Sequence, residues 1–405
     1  MKVKVIQKKQ LVSTVAMASV LVCGVMMGQN AMAAGITEAL TGGKPMVDFR
    51  LRAETVDQDG AKEDATALTA RTRIGYMSGA YSGLKGFFEF ENTTALIDDY
   101  NIPKGLKGEY PVVADPEGSE VNQAFLSYGG VKNLLVKMGR QRVILDNARF
   151  VGNVGWRQNE QTYDALLLNT TAVKDLSASY AFVDQVNTIV GGEIETDAHL
   201  LNVSYKGVKD TKITGYAYMI DTEADAPKDS QTIGASIDGK VAIGEGTKMM
   251  YGLEYAQMSE YADNESSDSP AYYKVELGAK VKKITVKLGH EVLGNDGGSS
   301  FQTPLATKHK FNGWADKFLT TPTDGLVDTY LTAVGKVKGV KLLATYHMFS
   351  SDKGGDDYGS ELDLLAVKKF GKNYSAGLKY ATYMEGDLAA KTDTSKLWLW
   401  GGIKF

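Results

Sequence analysis

The sequence predicts an all-β fold: a transmembrane antiparallel up-and-down β-barrel of about 18 strands, with 16 as the lower alternative. Three observations carry this. The chain repeats one unit of mostly alternating apolar and polar residues followed by a break. The breaks alternate between short and long, and the last strand ends the chain on an aromatic residue. Period two gives each strand one apolar and one polar face, the pattern of a wall with lipid on one side and water on the other.

The first element is an export signal. Lys2, Lys4, Lys8 and Lys9 form a basic region, Leu11 to Met27 an apolar core, and Ala31-Met32-Ala33 a small-residue cleavage site. Residues 1–33 therefore read as a signal peptide and 34–45 as a short periplasmic lead-in to a barrel over 46–405. Cleavage removes Cys23, the single cysteine, so disulfides and thiolate metal sites are excluded from the mature chain. It also takes the net charge from −4 to −8. Neither value suggests a nucleic-acid partner. Charged residues at 23% and hydrophobics at 43% exclude wholesale disorder. Beyond the signal there is no apolar run long enough for a membrane helix.

Strand candidates begin near 46, 67, 84, 120, 134, 163, 175, 198, 211, 232, 248, 271, 283, 326, 340, 361, 373 and 394. Short breaks rich in Gly, Lys and Asn, such as 129–133, 207–210 and 371–373, read as periplasmic turns. Long breaks at 95–117, 145–162, 260–269 and 293–324 read as outer loops. Pro103, Pro111, Pro116, Pro227, Pro304 and Pro322 fall in loops, and Pro45 and Pro270 at strand starts, where no ladder hydrogen bond is lost. In the last strand Leu397, Leu399, Gly401, Ile403 and Phe405 share one parity. A soluble sandwich is the alternative, but eighteen strands in one such chain would be unusual. The 38 aromatics, 21 of them Tyr, suit interfacial girdles. Outer-membrane lipid and lipopolysaccharide are the expected surroundings, and the strand ending in Phe405 is the expected contact for the barrel-assembly machinery.

All eight arginines lie between residues 50 and 157. Arg50/Arg52, Arg71/Arg73 and Arg140/Arg142 are i, i+2 pairs, which a strand points to one face. An arginine facing lipid at the bilayer midplane costs about 2–4 kcal/mol, so the first two pairs are expected in the lumen as a four-guanidinium patch. Arg140 and Arg142 share parity with Leu134, Val136 and Met138, so either a bulge at Gly139 flips the phase or the pair lies above the membrane rim. Such a ladder would attract carboxylate or phosphate solutes, and Lys274, Lys287, Lys341 and Lys379 would extend a weaker positive track. Alternatively the arginines neutralise Asp48, Glu54, Glu89 and Glu91, and the two roles can coexist. Loop 95–117 supplies Asp98, Asp99, Glu109, Asp115 and Glu117 as constriction candidates: folded inward they would oppose the arginines, and capping the mouth they would disfavour anions.

The run Gly139-Arg140-Gln141-Arg142, then Asp146, Arg149, Gly152-Asn153, Trp156-Arg157-Gln158-Asn159 and Thr162-Tyr163-Asp164, resembles the alginate-export family of outer-membrane porins. The resemblance implies an eighteen-stranded barrel with an arginine-lined, anion-selective pore for a polyuronate. It makes Arg140, Arg142, Arg149 and Arg157 candidate pore residues. This chain departs from that pattern in having only lysines after residue 157, which favours small anions over alginate.

Enzymatic chemistry has little support. Among His199, His290, His309 and His347, only His347 with Ser350 forms a pair worth naming, and a rim histidine beside a polar loop explains it better. No metal or cofactor is expected, and the acids of 263–268 and 352–357 read as solvated outer loops. The expected function is a porin for passive diffusion of small hydrophilic solutes with anion preference. A plugged structural or adhesive barrel and a polyuronate export channel are the alternatives, with a barrel enzyme behind them.

Overall fold

The computed structural model describes residues 29–223, 229–387 and 391–405. Most of the expected signal peptide, residues 1–28, lies outside the described residues. A helix, α1 (Gln29–Thr41), leads into the first strand and docks under the first turn, where Gly79 N donates to Ala39 O (2.7 Å) and Tyr76 Oη to Leu40 O.

Among the described residues eighteen barrel strands follow. They are β1 (Lys44–Gln58), β2 (Ala65–Met77), β3 (Leu84–Asp99), β4 (Gly118–Tyr128), β5 (Leu134–Gln141) and β6 (Thr162–Thr170). Next come β7 (Leu176–Asn187), β8 (Glu193–Tyr205), β9 (Thr211–Thr222), β10 (Ser230–Gly244), β11 (Thr247–Ser259) and β12 (Ala271–Val281). The last six are β13 (Ile284–Leu293), β14 (Leu326–Val337), β15 (Val340–Ser350), β16 (Asp357–Phe370), β17 (Tyr374–Met384) and β18 (Thr394–Lys404). Each pairs antiparallel with its sequence neighbours, and β1 pairs with β18, from Asp48 opposite Lys404 to Gln58 opposite Thr394. Phe405 N donates to Val47 O (2.9 Å), so the terminal aromatic is stitched into the closing seam.

The alternation is inverted relative to a soluble sheet. In β3, Phe88 and Phe90 are 49% and 41% exposed, whereas Glu89 and Glu91, which alternate with them, are buried. The apolar face therefore looks out to lipid and the polar face into the lumen. Tight turns at 245–246, 282–283 and 338–339 join strands at one end. Asn133, Asp175, Asp210 and Lys338 adopt positive φ at that end, where Asn and Asp tolerate the left-handed conformation best.

The expected strand starts lie within a few residues of the observed ones. The largest difference is β8, which begins at Glu193 rather than near 198 because it extends into an acidic rim segment, Glu193 to Asp197. The long breaks behave differently from one another. Segments 142–161 and 294–325 fold into the lumen, whereas most of 100–117 covers the rim.

Candidate solute site in the lumen

The first two arginine pairs face the lumen, as their parity requires. Arg50 sits opposite Arg71 in the β1–β2 register, and Asp48 opposite Arg73. Arg52, Arg71 and Arg73 are buried, and each has a carboxylate. Arg52 pairs with Asp115 and lies 3.7 Å from Glu54, Arg71 pairs with Asp48, and Arg73 pairs with Glu91 and, at 3.2 Å, Glu160. Neutralisation and a guanidinium patch thus occur together. Among the described residues Arg50 is the arginine with no carboxylate within ion-pair distance. It donates to Gln158 Oε1 (2.8 Å) and to the carbonyls of Gly155 and Arg157.

The third pair splits. Gly139 has φ +115°, a conformation open to glycine, and an added Cβ there would meet Ala124 O at 2.4 Å. Arg140 makes a bidentate pair with Asp164 (2.8 and 3.0 Å). Asp164 stands between the buried, lumen-facing Tyr163 and Ala165, so this pair takes the outward parity, at the rim end of β6. Arg142, past the end of β5, turns inward to Glu160 (2.7 Å) and Glu89 (3.0 Å). Arg140 is therefore corrected from a pore residue to a rim residue, because the strand ends and the phase changes between the two.

Arg149 and Arg157 are buried inside the lumen as loop anchors. Arg149 reaches Glu291 (2.9 Å) and Asn312 (3.1 Å), and Arg157 reaches Glu54 (3.1 Å) and Asp316 (2.8 Å). Burial opposes both charges, but these carboxylates outweigh it and hold each guanidinium above its ordinary value. Of the five constriction candidates, Asp115 alone enters, accepting from Arg52 and from Gln158 N (2.7 Å). Asp98, Asp99, Glu109 and Glu117 are exposed, because Tyr100 and Val113 pack on Val56, Ala65 and Ala67 and leave the rest of the loop outside.

The segments that enter the lumen are 142–161 and 294–325. They meet at Gly152 N to Leu305 O (2.9 Å) and Thr307 N to Ala148 O (3.0 Å). A Cβ on Gly152 would meet Thr307 Oγ1 at 2.2 Å, so this contact requires glycine. Phe150 and Phe301 join Tyr216, Tyr218 and Tyr272 of the wall in one aromatic cluster. A second junction surrounds Lys379 of β17, whose ammonium lies 3.8 Å from the Trp314 ring, 4.3 Å from Trp156 and 5.0 Å from Trp398. Lys379 Nζ donates to His309 Nε2 (2.6 Å), which leaves Nδ1–H to donate to Asp316 (2.6 Å). Burial pushes His309 down to about 3, against the pull of Asp316, and the Lys379 charge adds to the fall.

Below these loops is a cavity of about 320 Å³ lined by Arg50, Arg71, Arg73, Arg142 and Lys404, with Asp48, Glu89 and Glu160. Five cations thus face three carboxylates. Burial alone would raise the Glu160 carboxyl, but Arg73 and Arg142 overcome it and hold it at about 2. Arg71 Nε and Arg73 Nη2 have no acceptor among the described residues.

Glu160, Gln158, His309, Asp316 and the tryptophan junction were beyond sequence reasoning, since their partners are more than 60 residues away or come from a loop with no periodic signal. Lys274 and Lys287 are paired with Glu254 and Glu276, Lys379 is enclosed, and only Lys341 of that expected track is exposed. His347 bonds Asp328 (2.9 Å) on the inner face, and Ser350 has the opposite parity, so they form no pair.

No curated protein matches the chain. Among solved structures it is similar to Acinetobacter baumannii OccAB4, at 13% identity and TM-score 0.70, with 89% of this chain and 98% of that one covered. Pseudomonas aeruginosa OccK9 (OpdG) aligns at 12% identity and TM-score 0.70, with 91% and 100% covered. Pseudomonas aeruginosa OpdK with vanillate aligns at 12% and 0.69, with 89% and 98% covered. These likenesses establish the fold. The model of the alginate export family matches residues 48–287, well over half of the 405. The chain belongs to the alginate export family and is a barrel of the outer membrane.

Proposed function

We propose that this protein is a passive channel for small hydrophilic solutes that prefers anions, and that the preference arises at the cavity bounded by Arg50, Arg71, Arg73 and Arg142. The carrying observation is the excess of cations over carboxylates there, with Arg50 bound only to neutral acceptors. A guanidinium held by amides and carbonyls keeps its charge uncompensated and can exchange one of them for a carboxylate. OpdK, a structural neighbour, was solved with vanillate, which is a carboxylate. Loops 142–161 and 294–325 set the pore width, which suits small solutes better than a polyuronate chain. Passage needs no turnover and no cofactor, so we read the protein as a channel and not an enzyme.

One observation favours a second reading, a plugged barrel. Both loops are pinned by buried ion pairs and aromatic contacts. Swelling of proteoliposomes in isosmotic solutes separates the two. A channel of this kind admits a sugar acid faster than a neutral sugar of equal size, and an amino sugar slowest. Equal rates for all three would overturn the anion preference, and no swelling at all would establish the plug.

A further inference from the structure

We propose that the outer wall of the barrel binds an anionic phospholipid of the periplasmic leaflet, at an apolar groove spanning β13 to β17. The groove has a volume of about 720 Å³. Its floor is Ala333, Gly335, Ala344 and Ala366, and Leu342 and Leu364 stand beside it. The floor residues carry the parity opposite to the lumen-facing Asp328, Thr345, His347 and Asp363, so they face lipid. They are also neighbours in register: Ala333 is opposite Ala344, Gly335 opposite Leu342, and Leu342 opposite Ala366. Large side chains cover the wall elsewhere on this face, as at Leu331, Leu288 and Met348, so the small residues leave a notch between them.

Charge identifies the occupant. The groove opens toward the turns at 282–283, 338–339 and 371–373, and short turns face the periplasm in such barrels. Segments 279–286, 334–343 and 366–375 carry three lysines each and no aspartate or glutamate. None of these nine lysines has a carboxylate within ion-pair distance among the described residues, although paired lysines are common elsewhere in the wall. Lys283 lines the groove, Lys338 sits in the turn at its mouth, and Lys368 shares the outward parity of Leu364 and Ala366. An acyl chain in the notch would place a headgroup phosphate at their height. A polybasic rim beside the surface favours an anionic headgroup, while the notch alone takes any acyl chain.

The test uses the full-length folded barrel in detergent, with phosphatidylglycerol and phosphatidylcholine of identical acyl chains added in equal amounts. Native mass spectrometry reads which lipid is retained. The wild type is expected to keep phosphatidylglycerol over phosphatidylcholine by about tenfold. K283Q/K338Q/K368Q should bring that ratio close to one while a lipid is still held. A344L/A366L, which fills the notch from the lipid side, should lose both lipids, and the heat-dependent gel shift of a folded barrel confirms each variant. K174Q/K206Q/K209Q, at turns on the other side, should keep the wild-type ratio. Equal retention of both lipids by the wild type, no retained lipid, or an equal loss of preference in this last variant would each overturn the proposal.

Discussion

Strands β1 to β3 and strands β11 to β13 both turn a charged row into the lumen, yet they use it differently. On the first wall, arginines bridge wall to loop: Arg73 joins Glu91 of its neighbouring strand to Glu160, and Glu54 pairs with Arg157 of the same loop. On the second, Lys274 with Glu254 and Lys287 with Glu276 link one strand to the next. A guanidinium presents donors in a planar fork and serves two carboxylates, whereas an ammonium acts as a point charge. The arginines therefore fix loop 142–161 in the lumen, including Arg149 of the loop itself on Glu291 of the second wall, while the lysine pairs of that wall only balance each other.

The largest effect that would break this contrast lies in the buried arginines. Arg157→Gln leaves Glu54 and Asp316 short of a partner in a buried site and should cost about 3–5 kcal/mol, read from the urea midpoint of unfolding into detergent. Lys379→Met is next, since a desolvated cation over aromatic rings contributes about 2 kcal/mol. Loss of that junction should free both loops and give larger, noisier single-channel currents; unaltered currents would show that Lys379 does not hold them.

Arg50→Gln separates charge from support. It removes hydrogen bonds to neutral acceptors, about 1.5 kcal/mol, yet should reduce anion selectivity more than any other single substitution. Lys287→Gln, at a half-exposed pair with Glu276, should change stability by only about 0.5 kcal/mol. A loss as large as that of Arg157→Gln would erase the distinction between the walls.

Acid sharpens the comparison. The Glu160 carboxyl is depressed to about 2 in the folded barrel, so its contribution is present above the ordinary carboxylate pKa of about 4.3 and is lost as pH falls through about 2. His309, pushed down to about 3, stays neutral over the same upper range. Protection of loop 142–161 from hydrogen exchange should accordingly hold from pH 7 to about 4 and fail only near 2. Failure at pH 5 would mean that Arg73 and Arg142 do not hold Glu160.

The barrel was legible in the sequence because strand parity is local: Phe88 and Phe90 against Glu89 and Glu91 reveal inside and outside within four residues. The same parity placed Arg50, Arg52, Arg71 and Arg73 in the lumen. It could not place Arg140 and Arg142, since the strand ends at Gln141, between them, and only Arg142 is free to turn inward. Nor could it show which loop enters. Loop 95–117 has the more acidic sequence, but loop 142–161 has the glycine and arginines that fit the wall and the second loop, a match visible only once Glu54, Glu89, Glu291 and Thr307 are brought near.

The central claim is that uncompensated lumen arginine selects anions, and the reversal potential of the purified barrel in a planar bilayer under a salt gradient tests it most directly. The account predicts a potential of the sign given by anion preference, moving toward zero in Arg50→Gln and toward cation preference when Arg50, Arg52, Arg71 and Arg73 are all replaced by Gln. Cation preference in the wild type, or a potential unchanged in the variants, would contradict it.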